Sequence, residues 1–181
     1  MKRVIILFIF ILVLIGGFFG VFAYINHENS INQVVNTVNL TNTTKNHYDD
    51  KNMSFDYPDG WNISKDKVTA PLVVTVAKDK NNSFSVFKEK LGTKSYVDRM
   101  SEWRSNINSQ GIINYEGNLT IDGVAAYDVE FTYKNTNGTY NSRGIGLAKN
   151  GTAYFIIFVF NKSLLMYKND METVINSFHV K

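Results

Sequence analysis

The chain has 181 residues, no cysteine and a formal charge of +3, which excludes a disulfide-stapled scaffold and gives little pull on a polyanion. Setting aside Lys2 and Arg3 leaves 17 basic against 16 acidic residues, scattered without a basic stripe, so nucleic acid is excluded as a partner. Stability has to come from an apolar core, for which roughly 130 residues beyond the N-terminal third are enough.

Lys2 and Arg3 precede an uncharged run from Val4 to Ile25, dominated by Ile, Leu, Phe, Val and Gly. At about 1.5 Å per helical residue it spans roughly 33 Å, enough for a hydrocarbon core of about 30 Å. The run predicts a transmembrane anchor at 4–25 that uses the lipid bilayer as its first partner. The cations ahead of it place residues 1–3 in the cytoplasm and everything from Asn26 outside a single-pass cell-membrane protein. A cleaved signal has a shorter apolar stretch and a small-x-small site, whereas this run continues through Gly16 to Tyr24 without one. Gly16 and Gly20 form one Gly-x-x-x-Gly pair, weak grounds for a helix dimer.

Residues 26–52 are polar and rich in Asn and Thr. They read as a flexible extracytoplasmic tether with a span of roughly 30 Å. Asparagine is the outlier of the composition, with 22 residues, and nine sit in Asn-x-Ser/Thr triplets where composition alone predicts about three. The nine are Asn39, Asn42, Asn52, Asn62, Asn81, Asn118, Asn137, Asn150 and Asn161. All lie on the side assigned to the exterior, so N-glycosylation is expected.

The globular part, 53–181, is dominated by strands. Ser54 to Tyr57 alternates, Pro58-Asp59-Gly60 turns with Pro at the second position, and Trp61 to Ser64 resumes. Leu72 to Ala77 and Ser83 to Lys90 form a hairpin about Asn81-Asn82. Tyr96, Val97, Met100, Trp103, Arg104 and Ile107 repeat with helical spacing, with Ser95 and Asp98 as a capping box and Gly111 beyond the end. Three dipeptides, Asp122-Gly123, Asn137-Gly138 and Asn150-Gly151, suit type I′ turns between strands at 118–121, 124–133, 139–148 and 152–160. The last strand is apolar on both faces and belongs at the centre of a sheet. Ser163 caps a second helix with Leu164, Leu165, Lys168, Met171, Val174 and Ile175 on one side, and Phe178 to Val180 is a final strand. The fold class is α+β, about seven antiparallel strands flanked by helices.

Two local patterns carry a family resemblance. Phe55, Tyr57, Pro58, Gly60 and Trp61 make a Phe-x-Tyr-Pro-x-Gly-Trp word, and Ser177-Phe178 follows the last helix and leads into the last strand. In these residues, and in the order of elements over about 52–181, the chain resembles PsbP-like domains, the family of the extrinsic oxygen-evolving-complex protein of photosystem II. The resemblance implies an αβα sandwich around an antiparallel sheet. It implies no function, and no metal or docking residue is carried over, because the matched positions are turn and core residues.

Chemistry leaves a fainter trace. Asp56, Asp59, Tyr57 and Trp61 offer oxygens and an aromatic wall, but their spacing reads more simply as core around a turn. Asp128 and Glu130 point the same way from one strand, yet one pair supplies neither further ligands nor a base partner, and a solvated sheet face is the simpler reading. His27, His47 and His179 lack metal-ligand spacing. Gly144 and Gly146 fall inside a strand, where glycine lets another backbone or a bulky side chain approach. No nucleophile signature, cofactor motif or metal motif is present. The expected function is a non-catalytic envelope accessory or scaffold binding another envelope protein or surface polymer. A small-ligand pocket between sheet and helix is the alternative, and a hydrolase the third.

Overall fold

The structure, a computed structural model, describes residues 46–65 and 68–181. The anchor at 4–25, the tether up to residue 45 and the sequons at Asn39 and Asn42 lie outside the described residues. The strands are β1 (Asn46–Asp49), β2 (Met53–Tyr57), β3 (Asn62–Ile63), β4 (Leu72–Asp79), β5 (Asn82–Lys90), β6 (Gly111–Ile121), β7 (Val124–Asn135), β8 (Gly138–Lys149), β9 (Thr152–Phe160) and β10 (His179–Val180). The helices are α1 (Tyr96–Gln110) and α2 (Lys168–Ser177), with a 3-10 turn, Leu164–Tyr167, just before α2.

Every residue of β9 is buried, and a strand without a polar face has to lie inside a sheet covered on both sides. It is the middle of seven antiparallel strands in the order β3-β4-β5-β9-β8-β7-β6, while β1-β2-β10 form a second, small sheet. On one face Phe84, Ile145, Leu147, Ile156, Phe158 and Phe160 pack with Met53 and Phe55 of β2, Val174 and Ile175 of α2, and Phe178.

The opposite face carries α1. Its start is a capping box in which Ser95 Oγ accepts from the Asp98 N–H at 3.1 Å while the Asp98 carboxylate accepts from the Ser95 N–H at 3.4 Å. Trp103 meets Phe155 edge-on with ring centroids 4.8 Å apart. The bulky groups admitted by the strand glycines are this indole and a methionine: a Cβ on Gly144 would lie 2.8 Å from Trp103, and one on Gly146 2.5 Å from Met100 Sδ and 2.9 Å from Trp103. The helical stripe needs correction at two positions: Arg104 is exposed, where it pairs with Glu116, and so is Val97. Arg99 is buried instead. Its guanidinium lies 4.7 Å from the Phe155 ring centroid and pairs with Glu89, so the side chain covers apolar surface without leaving an unmatched charge.

Other corrections concern boundaries and turns. β1 lies within the stretch read as tether and pairs with β2 through four positions. β6 begins at Gly111, seven residues before its expected start. Asp122-Gly123 and Asn150-Gly151 have positive φ at both residues, as type I′ turns require. Between β7 and β8, however, Asn135 pairs with Gly138, so the turn is centred on residues 136–137. Between β4 and β5 it is centred on residues 80–81, because the Asp79 carboxylate accepts from the Asn81 N–H at 2.8 Å and from the Asn82 amide. The Pro-Asp-Gly turn starts one residue late, with the Trp61 N–H donating to the Pro58 carbonyl and Gly60 third at φ +77°. Ser163 caps the 3-10 turn rather than α2, which turns Leu165 outward.

The Asp122 turn also fastens the C-terminal strand. Its carboxylate accepts from Lys149 Nζ at 2.6 Å and from the Val180 N–H at 2.9 Å, and contacts His179 Nδ1 at 2.7 Å. Burial alone raises a carboxyl pKa, but these bonds outweigh it and hold Asp122 at about 2, below the ordinary 3.8.

Two outcomes follow from this packing. Gly144→Ala is expected to destabilise by about 1–3 kcal/mol through the clash with Trp103, read as a lower urea midpoint at unchanged slope. The Asp122 contribution is present above the unfolded pKa and fades as the pH falls from about 4 towards 2. Asp122→Asn, which keeps a residue tolerant of left-handed backbone, should therefore cost about 2 kcal/mol at pH 7 and flatten that part of the acid-unfolding curve.

Candidate functional site

Beyond the part of the sheet that α2 covers, β6, β7 and β8 present a polar surface on the face that elsewhere forms the core. A groove of about 710 Å³ lies there. Asn114 and Tyr115 of β6, Asp128 and Glu130 of β7, and Asn141 and Arg143 of β8 line it from the sheet side. Ser163, Leu164 and Leu165, then Lys168, Met171 and Glu172 of α2, line it from the other.

Strand register sets this floor. Glu130 stands opposite Arg143 and Thr132 opposite Asn141. Arg143 reaches diagonally to Asp128, with Nε and Nη2 donating to the two carboxylate oxygens at 2.9 and 2.8 Å. That bidentate bond holds the guanidinium pKa above its ordinary value although burial acts the other way. A bulge between Ile113 and Tyr115 inserts Asn114, so that Tyr115 stands opposite Glu130. The Asn114 amide donates to Thr132 Oγ1 at 2.8 Å, and the Asn141 amide donates to the Lys162 carbonyl at 3.1 Å, holding the approach to the 3-10 turn against the sheet.

The rim differs from the floor. Leu165 is 78% exposed and Tyr115 50%, both on the groove wall; Met166, next to Leu165, is 65% exposed, and Ile112, opposite Thr132, 70%. Two of the seven large apolar side chains exposed among the described residues, Tyr115 and Leu165, thus lie on the groove wall.

The reading of Asp128 and Glu130 as a solvated face is corrected: Asp128 is only 5% exposed and ion-paired, and Glu130 lines the groove. Arg143, Asn141, Tyr115, Lys168 and Glu172 are groove residues that sequence reasoning does not single out as a site. The family-motif residues lie elsewhere. Phe55, Trp61 and Phe178 are buried and Tyr57 packs against the core. The two words touch: the Asp56 N–H donates to Ser177 Oγ at 2.8 Å, and the Phe55 and Phe178 rings stack at 6.0 Å. His47 contacts Asp56 at 2.8 Å, and His179 belongs to the Asp122 cluster. Among the described residues no group of three or more His, Cys, Asp or Glu is placed to hold a metal. Of the sequon asparagines, Asn62, Asn118, Asn137, Asn150 and Asn161 are exposed, and Asn52 and Asn81 are half-buried.

A seven-stranded antiparallel sheet, helices on its two faces and a small sheet closed by the Ser177-Phe178 word define a PsbP-like domain. The model of the family described as PsbP-like protein matches residues 4–180, and the chain belongs to that family. The solution structure of cyanobacterial PsbP (CyanoP) from Synechocystis is similar, with a TM-score of 0.60 at 15% identity over 81% of this chain and 99% of that one. LpqN, a protein involved in cell envelope biogenesis of Mycobacterium tuberculosis, aligns with a TM-score of 0.52 at 9% identity over 76% and 86% of the two chains. At these identities the likeness is one of fold. No curated protein matches the sequence.

The Asp128–Arg143 pair yields a stability prediction. Arg143→Met strands a buried carboxylate and should cost about 3–5 kcal/mol, whereas Asp128→Leu/Arg143→Met should regain most of that loss. Chemical denaturation of the two variants beside the parent chain checks it.

Proposed function

We propose that this PsbP-like protein is a membrane-anchored, non-catalytic accessory protein whose domain stands outside the membrane and holds another envelope component in the groove beside α2. The groove carries the reading. Its polar floor is preorganised by hydrogen bonds between strands and to the Lys162 carbonyl. Its wall carries two exposed apolar side chains, Tyr115 and Leu165, and exposed apolar surface beside polar groups is a feature of interaction sites. A pocket for a drug-like ligand has predominantly apolar walls, unlike this floor. A hydrolase needs a base free to act on a nucleophile, and Asp128, one of the groove's three carboxylates, is instead committed to Arg143 on both oxygens.

Sidedness rests on the sequence: the uncharged run at 4–25, the cations before it and the excess of sequons after it. Five of those asparagines are exposed. LpqN, of like fold, works in cell envelope biogenesis, which fits an envelope setting.

A photo-crosslinking residue at Leu165, in full-length protein in its native membranes, should capture a partner that the same residue at Val97, on α1 and 71% exposed, does not. Equal yields from the two positions would remove the groove from the proposal. The intact mass of protein from those membranes should exceed that of the bare polypeptide, and a mass equal to it would end the glycosylation reading.

A further inference from the structure

We infer that the groove takes a neutral glycan, an uncharged chain of sugar rings, which gives the proposed binding role its ligand class and rests on that role. The backbone of the floor is spent over β7 and β8, which are paired on both sides, while β6 is the edge strand and pairs only with β7. Recognition over β7 and β8 has to come from side chains. An extended peptide docks on a free sheet edge, which here is the outer side of β6 at the groove's margin and not its floor.

The floor side chains are of mixed polarity at close spacing. Glu130 only accepts, the Arg143 amino group not held by Asp128 only donates, and Asn141 carries both kinds of group. A sugar hydroxyl also donates and accepts, so a run of hydroxyls can meet each neighbour with the partner it needs. Charge decides against ionic ligands. Three carboxylates, Asp128, Glu130 and Glu172, face two cations, Arg143 and Lys168. An anion meets an excess of carboxylate, while for a cation two of the three carboxylates are already paired, Asp128 with Arg143 and Glu172 with Lys168, which leaves Glu130 alone.

The walls supply the second half of the match. Sugar rings have apolar C–H faces as well as hydroxyl edges, and ligands of this kind pack on exposed aromatic and aliphatic surface. Tyr115 offers a half-exposed ring opposite Glu130, and Leu165 of the 3-10 turn lines the same groove. The volume of about 710 Å³ lies within the range of small-molecule sites, so a short stretch of chain fits.

The test is a glycan array carrying neutral, amino and acidic oligosaccharides, probed with the full-length chain in detergent micelles, with a displayed peptide library probed in parallel. Neutral oligosaccharides should be retained. Tyr115→Ala should weaken that retention at least tenfold with the unfolding midpoint unchanged, and Tyr115→Phe should restore it; Glu130→Gln should weaken it several-fold. Retention of acidic or amino sugars alone, of peptides alone, or of neutral sugars equally well by Tyr115→Ala overturns the inference. A blank array overturns it too. If Leu165 still captures a protein from native membranes in that case, the groove's binding role stands and only the sugar assignment falls. If both are blank, both fall.

Discussion

A strand with no polar face needs two covers, and the rest of this molecule is arranged around meeting that need for β9. One cover is α1, which the sheet receives by giving up two side chains, at Gly144 and Gly146, to Trp103 and Met100. The other is composite. β2, β10 and α2 come from the beginning and the end of the domain and pack on the opposite face through Phe55, Val174 and Phe178. Ring contacts tie this side together, from Tyr48 on Phe55 at 4.9 Å to Phe160 on Tyr167 at 4.1 Å. Each such pair adds about 0.5–1.5 kcal/mol to the burial of its apolar area.

The groove is a consequence of where the second cover stops. β7 and β8 are each 12 residues long, while α2 has only 10 residues, at about 1.5 Å apiece, to lay against the sheet. Where the cover runs out, the same strand face that carries Ile145 and Leu147 changes to Arg143 and Asn141. The ion pair between Asp128 and Arg143 sits at that boundary. It closes the core with matched charges and opens the floor of the groove, so a single pair serves both packing and the site.

Much of the fold was legible because its elements are written in strong local chemistry. The apolar run of β9, the Ser95–Asp98 box and the two turns with left-handed Asp122 and Asn150 each depend on a few neighbouring residues. The groove depends on register, which local chemistry specified less well. Centring the β7–β8 turn on Asn137-Gly138 would set Arg143 opposite Thr132 and leave Glu130 facing Ile145. Moving it to residues 136–137 slides the strands by two positions and sets Arg143 opposite Glu130, within reach of Asp128. A slip of two preserves which face each side chain occupies, so the alternation pattern carries no warning of the error. The outward position of Leu165 was hidden for a related reason: a 3-10 turn advances by three residues rather than 3.6, and the apolar stripe does not distinguish the two over one turn.

The contact between the two family words has a temporal side. Asp56 and Ser177 are 121 positions apart, and β2 finds its partner β10 only when residues 179–180 have been made. During vectorial synthesis, the central strand therefore emerges before half of its shelter exists. Domains closed by such distant contacts fold late and slowly, and a bare β9 is an open invitation to aggregate. Folding of the domain therefore waits for the end of the chain, where the last strand arrives to complete the cover.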